Sequence, residues 1–517
     1  MKKKQLRWTL WTIASPFILF IILCILIYLP PIQNFLVDKA AVYASEATGM
    51  NISVGRISLS FPLNLVVTDV DAASPHKDTL LSVRRLQVNV QLLPLLKKQV
   101  EVDGISLQGA TVNSNDLIHG MRLNGTLGEL FISSHGVALD PETAIVNKVL
   151  LKDTDLSLCL NDTAAADTAA SDTTYWKIIL QDIDLQNVSF ALDMPLDSLS
   201  LAASLDNARL RDGLIDLHKS AYSLQTFRIK NGRVRYDSGR PSATASADSL
   251  SAGLDPSHIA LTDIGVKLDS LYYEGRNMKA IISQFVLKER SGVEIVSTEG
   301  RLVSNDKVLR VPSLKLETRD SYLELNAAMD WDALDFKKEG LVSARLMADI
   351  GKPDVVRFMG SMDEKFIRKY PSEPLRIRTG IDGDLNKLKL TTLTAELPGA
   401  LELFAKGELT SLTDSLLRGG DITLQAETKD LKFISTLAEG IEIPYGTRLE
   451  GKFTMAGPKM GTDLLLMQPE AHAVAAADTI PITVYNDSIS VADDFKMERA
   501  ARLFAKYDLS RDRYEAD

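Results

Sequence analysis

Cysteine is nearly absent: Cys24 and Cys159 are the only two in 517 residues. Cys24 lies in an apolar run, so a disulfide framework and a cysteine-rich metal site are both excluded. Histidine is scarce as well, with six scattered residues that offer little to a catalytic or metal-binding constellation. His119 and His135 stand beside Gly120 and Gly136 and read as loop histidines. No excess of positive charge exists. The formal charge is −10, and it becomes −14 once the four basic residues at positions 2, 3, 4 and 7 are set aside. That argues against nucleic acid as a partner, because phosphate binding needs clustered cations. There is no H-E-x-x-H, G-x-S-x-G or C-x-x-C. Residues 446–452 (GTRLEGK) have the spacing of a phosphate-binding loop, but Phe453 stands where Mg²⁺ needs a hydroxyl, and the flanks read as strand and turn. The expectation is a protein that is not an enzyme and carries no cofactor and no metal.

Long apolar runs are also missing, with one exception. Residues 10–29 (LWTIASPFILFIILCILIYL) hold no charge. At ~1.5 Å per residue they reach roughly 30 Å, the thickness of a hydrocarbon core. Lys2, Lys3, Lys4 and Arg7 precede the run and no charge follows until Asp38. The asymmetry predicts a single-pass anchor with residues 1–9 in the cytoplasm and the bulk exported. Trp8, Trp11 and Tyr28 take interfacial positions, and Pro16 is tolerable in a membrane helix. A cleaved signal peptide would have a shorter core and a small-x-small site, whereas Pro30-Pro31 follows here. Residues 32–49 carry Ile32, Phe35, Leu36, Ala40 and Tyr43 at helical spacing, which predicts a juxtamembrane helix ended by Gly49.

After Gly49 the apolar period changes from 3.6 to 2. Leu86, Val88, Val90 and Leu92 alternate with Arg85, Gln87, Asn89 and Gln91. Similar runs flank Asp103-Gly104, Gln186-Asn187 and Asn231-Gly232, which read as turns, the last as a hairpin. Residues 50–460 are therefore read as a mainly antiparallel β body of on the order of 30 strands, one face apolar and one wet. Residues 161–174, an Asp-Thr-Ala repeat, read as a solvated loop, and Pro353–Tyr370 reads as a short helix. From Gly461 the alternation weakens, so 461–517 is expected to be an irregular tail with a helix-like end.

The body repeats itself. Leu323-Glu324-Leu325-Asn326-Ala327 returns as Leu401-Glu402-Leu403-Phe404-Ala405, and Asp354 leading to Phe358 returns as Asp430 leading to Phe433. Units that cannot bury their own apolar faces stack into elongated arrays.

The order of these features resembles the AsmA-like family, and within it the TamB type of bridge-like lipid transfer protein. The resemblance runs from the anchor through Ala44–Gly49 into Ile52–Leu59 (ISVGRISL), Phe61-Pro62-Leu63, Asp78-Thr79-Leu80-Leu81 and Val88–Leu96, and then into the Leu-Glu-Leu repeats. It covers roughly residues 1–460, and no counterpart of the family's β-rich carboxy-terminal domain is visible. The chain thus looks like an amino-terminal portion of such a protein. The resemblance implies a long curved sheet forming an open apolar groove in the periplasm, anchored in the inner membrane and conducting phospholipid toward the outer membrane. It also implies a second possibility, a scaffold for outer-membrane protein assembly or secretion with an outer-membrane barrel partner. The residues expected to line the groove are Val88, Val90, Val100, Val102, Leu314, Leu316, Leu323, Leu325, Leu388, Leu390, Leu401 and Leu403.

Overall fold

The computed structural model describes residues 50–516, together with 39, 41, 42, 45 and 46, apart from 61–63, 75–78, 92–101, 115–119, 139–141, 162–174, 240–252, 336–337, 339, 360–363, 413, 415, 437–444, 469–498 and 509–512. The anchor at 10–29, the loop at 162–174, His119 and Val100 lie outside the described residues. So does most of the juxtamembrane segment, of which Lys39, Ala41, Val42, Ser45 and Glu46 are helical. No described helix is long and apolar enough to cross a membrane. The protein is mainly β, and the chain divides into two units: Met1–Ala247 with Pro256–Gly275, and Asp248–Asp255 with Arg276–Asp517.

The first unit is a ladder of β1 (Asn51–Ser60), β2 (Asn64–Ala73), β3 (Thr79–Val90), β4 (Val102–Asn113), β5 (Met121–Ala138), β6 (Thr143–Leu160), β7 (Lys177–Met194), β8 (Leu199–Asp216), β9 (Ala221–Leu224), β10 (Thr226–Ser238) and β11 (His258–Glu274). Short β9 and β10 form one line, since both pair with β8 and with β11. Every described pairing is antiparallel except β6 with β7, which run parallel along their whole length. The body is thus mainly antiparallel, as expected, with one parallel pair that the sequence pattern does not reveal. Sixteen residues separate β6 from β7, enough chain to return along β6 before the next strand starts.

The second unit is a consecutive antiparallel ladder. It runs through β12 (Asn277–Glu289), β13 (Glu294–Ser304), β14 (Val308–Thr318), β15 (Tyr322–Asp330), β16 (Val342–Ile350), β17 (Leu375–Gly383), β18 (Lys387–Leu397) and β19 (Leu401–Thr410). It continues through β20 (Gly419–Thr428), β21 (Arg448–Ala456), β22 (Lys459–Gln468), β23 (Arg499–Asp508) and β24 (Arg513–Ala516). Between β16 and β17 the chain forms α1 (Lys352–Phe358) and α2 (Glu364–Lys369) where a single helix was expected. Gly351 caps α1 and Pro353 sits in its first turn. The helices cover one end of the strands. There Phe366, Tyr370, Leu397, Ala400, Leu431 and Phe433 form a dry cluster, with ring centroids 5.2 to 5.8 Å apart.

Two further expectations change. The described residues after Gly461 are not irregular: β22, β23 and β24 extend the ladder, and Met460, Thr462, Leu464 and Leu466 keep the two-residue period. Arg499–Asp508 is a strand and not a helix. Among the described residues there are 24 strands where about 30 were expected, and β5, β6, β7 and β8 are each 18 residues long. The phosphate-loop lookalike opens β21, with a strand after it and no helix. His135 lies within β5 and not in a loop.

Candidate functional site

Directly opposed residues of paired strands share a face, so cross-strand register decides which candidates stand together. In the second unit it joins all eight. Leu314 and Leu316 oppose Leu325 and Leu323, which in turn oppose Leu346 and Ala348. Ala348 opposes Ile377, which opposes Ala395, which opposes Leu403; Leu397 opposes Leu401. Leu388 and Leu390 oppose Gly383 and Ile381, and a register shift after Leu390 keeps them on the same side as Leu393. The opposite face is charged, with Glu324 against Lys315, Arg376 against Glu396 and Glu427 against Arg448. None of the eight leucines is fully buried; each is half-buried. Among the described residues the one large side chain that is fully buried is not apolar: it is Asp354. A two-layer β-sandwich would bury its leucines between sheets. Among the described residues the strands belong to one sheet, and these leucines keep intermediate exposure.

In the first unit Val88 opposes Leu65 and Ile105, and Val90 opposes Val102. These valines belong to transverse rows that cross the ladder, such as Ile57, Val67, Leu86, Leu107, Leu130, Leu151, Leu185, Ala208 and Ile229. One row is of a different kind. Gly55, Asp69, Arg84, Gly109, Gly128, Asp153, Asn187, Asp206 and Asn231 are the positions at which the pairing of successive strands is interrupted, each flanked on both sides by paired residues at the same height. Asp69, Gly109, Asp153, Asn187 and Asn231 have φ between 50° and 63°, as does Asp263 on β11 after a one-residue register shift. At Gly55 and Gly128 a Cβ would come within 2.9 and 2.8 Å of the Cβ of Asp69 and Asp153, which explains the glycines.

A single non-extended residue in a strand breaks the period of two. The apolar residues accordingly step by three across this row: Val67 to Val70, Leu107 to Ala110, Leu127 to Leu130, Leu185 to Val188, Leu205 to Ala208. The two residues between them both face out, as at Lys152 and Asp153 or Lys230 and Asn231, which are exposed. Their neighbours on the apolar side are buried: Val83, Ala110, Thr154, Ala208 and Ile264 are all under 10% exposed. The row is a crease. It is a line of non-extended backbone that crosses the ladder, with these side chains beside it on the apolar face.

Polar side chains brace the outside of the crease. Asn187 donates from Nδ2 to Asp153 Oδ1 at 2.9 Å, and Asn231 donates to Asp206 Oδ2 at 2.9 Å. Asn231→Val is expected to destabilise the first unit by about 1–3 kcal/mol, since a β-branched residue is strained at positive φ and the bond to Asp206 is lost. Asn231→Gly should lose only the bond. Urea unfolding of the two variants separates these terms; equal losses would remove backbone strain from the account.

The sequence signs at Asp103-Gly104, Gln186-Asn187 and Asn231-Gly232 are corrected by this geometry. None is a turn: the strands β4, β7 and β10 run straight through them.

A hollow of about 360 Å³ lies over β6, β7, β8, β10 and β11, lined by Leu156, Phe190, Ala203, Val234 and Leu261 with Ser189, Ser204 and Arg233. A second, of about 400 Å³, lies among the charged residues of the second unit, including Glu396, Glu402, Glu427 and Glu450. Arg376, Lys429 and Arg448 approach the first three of these at 3.3, 3.2 and 3.9 Å, so it is a paired surface. No group of three or more metal-ligating side chains occurs among the described residues. Cys159 is a free thiol whose Sγ lies 3.2 Å from Asn161 Oδ1.

On the outer face of the first unit the Arg209 guanidinium holds the Asp182 carboxyl below its usual value, through bonds of 2.8 and 2.7 Å that outweigh partial burial; Arg211 and Lys148 add to the effect. A carboxyl with a depressed folded pKa stabilises above its unfolded value near ~3.9 and loses that contribution as pH falls through the folded value. The pair is partly exposed, so about 1 kcal/mol or less is expected. The deficit of Asp182→Asn relative to wild type should therefore be present at pH 7 and shrink by about pH 2. A deficit that grows on acidification would reverse the sign.

Comparison with family models, with curated proteins and with solved structures finds no match to this chain.

Proposed function

We propose that this chain is an inner-membrane-anchored periplasmic protein that takes phospholipid acyl chains along its apolar β faces and conducts them toward the outer membrane. The observation that carries the reading is the aligned apolar face: eight leucines of the second unit share one side of the ladder and none of them is fully buried. Water is a poor neighbour for such a surface, and each CH₂ removed from it gains ~0.8 kcal/mol. The apolar rows that cross the first unit support the same reading with a second apolar lining. Because rows repeat from strand to strand, affinity is similar at each step, which favours sliding over trapping. The anchor of residues 10–29 and the family resemblance supply the compartment and the two membranes.

A second reading, a scaffold for outer-membrane protein assembly with a barrel partner, is favoured by one observation. Among the described residues β1 and β24 each pair on one side only, and such edges accept an added strand. Mass spectrometry of the detergent-extracted protein tests both. Near-stoichiometric phospholipid is the expected result; lipid-free protein that retains a bound barrel would overturn the first reading in favour of the second.

A further inference from the structure

Six described apolar side chains are more than 60% exposed, and four belong to one end of the second unit: Leu334 at 63%, Leu341 at 65%, Leu416 at 76% and Leu417 at 70%. Leu334 and Leu341 lie in the connection from β15 to β16, and Leu416 and Leu417 in that from β19 to β20. The pairings of Met329 with Val342, Val342 with Gly383, Leu388 with Leu409 and Thr410 with Gly419 put both connections at the same end of the ladder. That end is opposite to the helical cap. Four strand spacings of ~4.8 Å separate the two tips by roughly 19 Å.

These leucines are held out by built loops. Asp414 Oδ1 accepts the backbone N–H of Leu416 at 2.8 Å and of Leu417 at 3.2 Å. Arg418 closes the same loop onto Gly457, with its Nε 2.9 Å from the Gly457 carbonyl. On the other tip Asp330 and Leu341 exchange bonds of 2.8 and 3.0 Å, and Trp331 donates from Nε1 to the Asn305 carbonyl at 2.8 Å.

We propose that this end of the second unit seats its leucine tips in the interfacial layer of a phospholipid bilayer. Two observations choose a bilayer over a protein. The first is area. At ~25 cal/mol per Å², the ~1.5–3 kcal/mol of a buried leucine corresponds to roughly 60–120 Å². Four leucines then offer roughly 240–480 Å², short of the ~800 Å² per partner of a stable interface. The second is charge: Arg276, Lys307, Lys338, Lys387, Arg418 and Lys459 stand against Asp306, Asp332, Asp335, Asp384 and Asp414, a near balance that selects no charged partner. Separate apolar tips on a nearly neutral rim suit a fluid, zwitterionic surface, where amphipathic loops insert shallowly. The contact is distinct from lipid in the apolar lanes and goes beyond it.

The test uses the full chain with Cys24→Ser and Cys159→Ser, reconstituted in phosphatidylcholine vesicles. Leu334→Cys and Leu416→Cys carry a bimane label, and Leu196→Cys, 64% exposed in the first unit, is the reference. Exchanging the lipid for phosphatidylcholine with brominated chains should quench the labels at 334 and 416 at least twofold more than at 196. Raising salt to about 0.5 M should leave the quenching unchanged, since a neutral rim has little to screen. Equal quenching at all three sites overturns the proposal, as does a concentration-dependent blue shift at 334 and 416 without quenching, which would assign the rim to a second copy. Bound lipid measured on the same preparation keeps this outcome separate from the fate of the conduit reading.

Discussion

Leu325→Asp and Leu403→Asp are expected to abolish lipid transfer while the protein stays folded, whereas Glu324→Lys and Glu402→Lys are expected to leave it intact. Leu325 stands between Leu314 and Leu346, and Leu403 between Ala395 and Ala426, all on the apolar face. A carboxylate there is solvated while the lane is empty, so folding costs little. Once an acyl chain covers it, its desolvation costs several kcal/mol, and a sliding chain meets that barrier at one rung. The glutamates are one residue away and face the other side. Glu324 opposes Lys315 and accepts the Tyr322 hydroxyl at 2.7 Å, a bond that also raises the Tyr322 pKa. Glu402 opposes two other glutamates, Glu396 and Glu427, so a lysine there exchanges its bond with Lys429 for relief of like charge. Photocrosslinking of lipid in the four variants is the measurement. If the leucine and glutamate sets behave alike, the apolar face is not the path.

That these leucines share one face was legible in the sequence because the second unit is regular. Leu-x-Leu runs separated by short turns leave one arrangement of strands, and the registers keep the leucines aligned. The first unit was harder to read for a physical reason. Asn and Gly at positive φ serve a hairpin and a crease equally well, and one strand alone does not distinguish them. Gln186-Asn187 and Asn231-Gly232 therefore read as reversals. The distinguishing sign is collective: the apolar step of three recurs in strand after strand, as in Val67-Thr68-Asp69-Val70, Leu151-Lys152-Asp153-Thr154 and Leu261-Thr262-Asp263-Ile264. A hairpin reverses the chain once and would not reappear at the same height in every neighbour. The offset repeat joining Asp354–Phe358 to Asp430–Phe433 was also only half legible. Phe433 enters the dry cluster whereas Phe358 is exposed, and Asp430 is exposed whereas Asp354 is sealed. Similar spacing produced a helix at one site and a short 3₁₀ turn at the other.

That sealed aspartate carries the largest stability effect expected in the molecule. Asp354 is 0% exposed. Its Oδ2 accepts the hydroxyls of Thr318 and Ser321, the second at 2.6 Å, and its Oδ1 accepts Arg357 Nη1 at 3.0 Å. Arg357 also binds Asp320 at 2.8 Å, and its carbonyl accepts the Leu254 N–H at 2.7 Å. Burial alone would push the Arg357 guanidinium down, but its bonds to Asp320 and Asp354 hold it above its ordinary value, so it stays cationic. One carboxylate thus ties the β14–β15 turn to α1, and through α1 to the segment around Leu254. Asp354→Ala removes the acceptor from two partly buried hydroxyls and from a partly buried cation, a loss of about 3–5 kcal/mol. Asp354→Asn keeps one acceptor oxygen and should lose about half as much. A chain of two units is not expected to unfold in one step, so the readout must be local. Hydrogen exchange of the α1 amides should accelerate by about 10²–10³-fold in Asp354→Ala, at ~1.4 kcal/mol per tenfold, while the amides of β5 to β8 keep their protection. Since α1 and α2 close one end of the apolar face, lipid crosslinking near Leu401 should become less position-specific in the same variant. Unchanged α1 protection would show that the cap is held by the Phe366–Phe433 cluster alone.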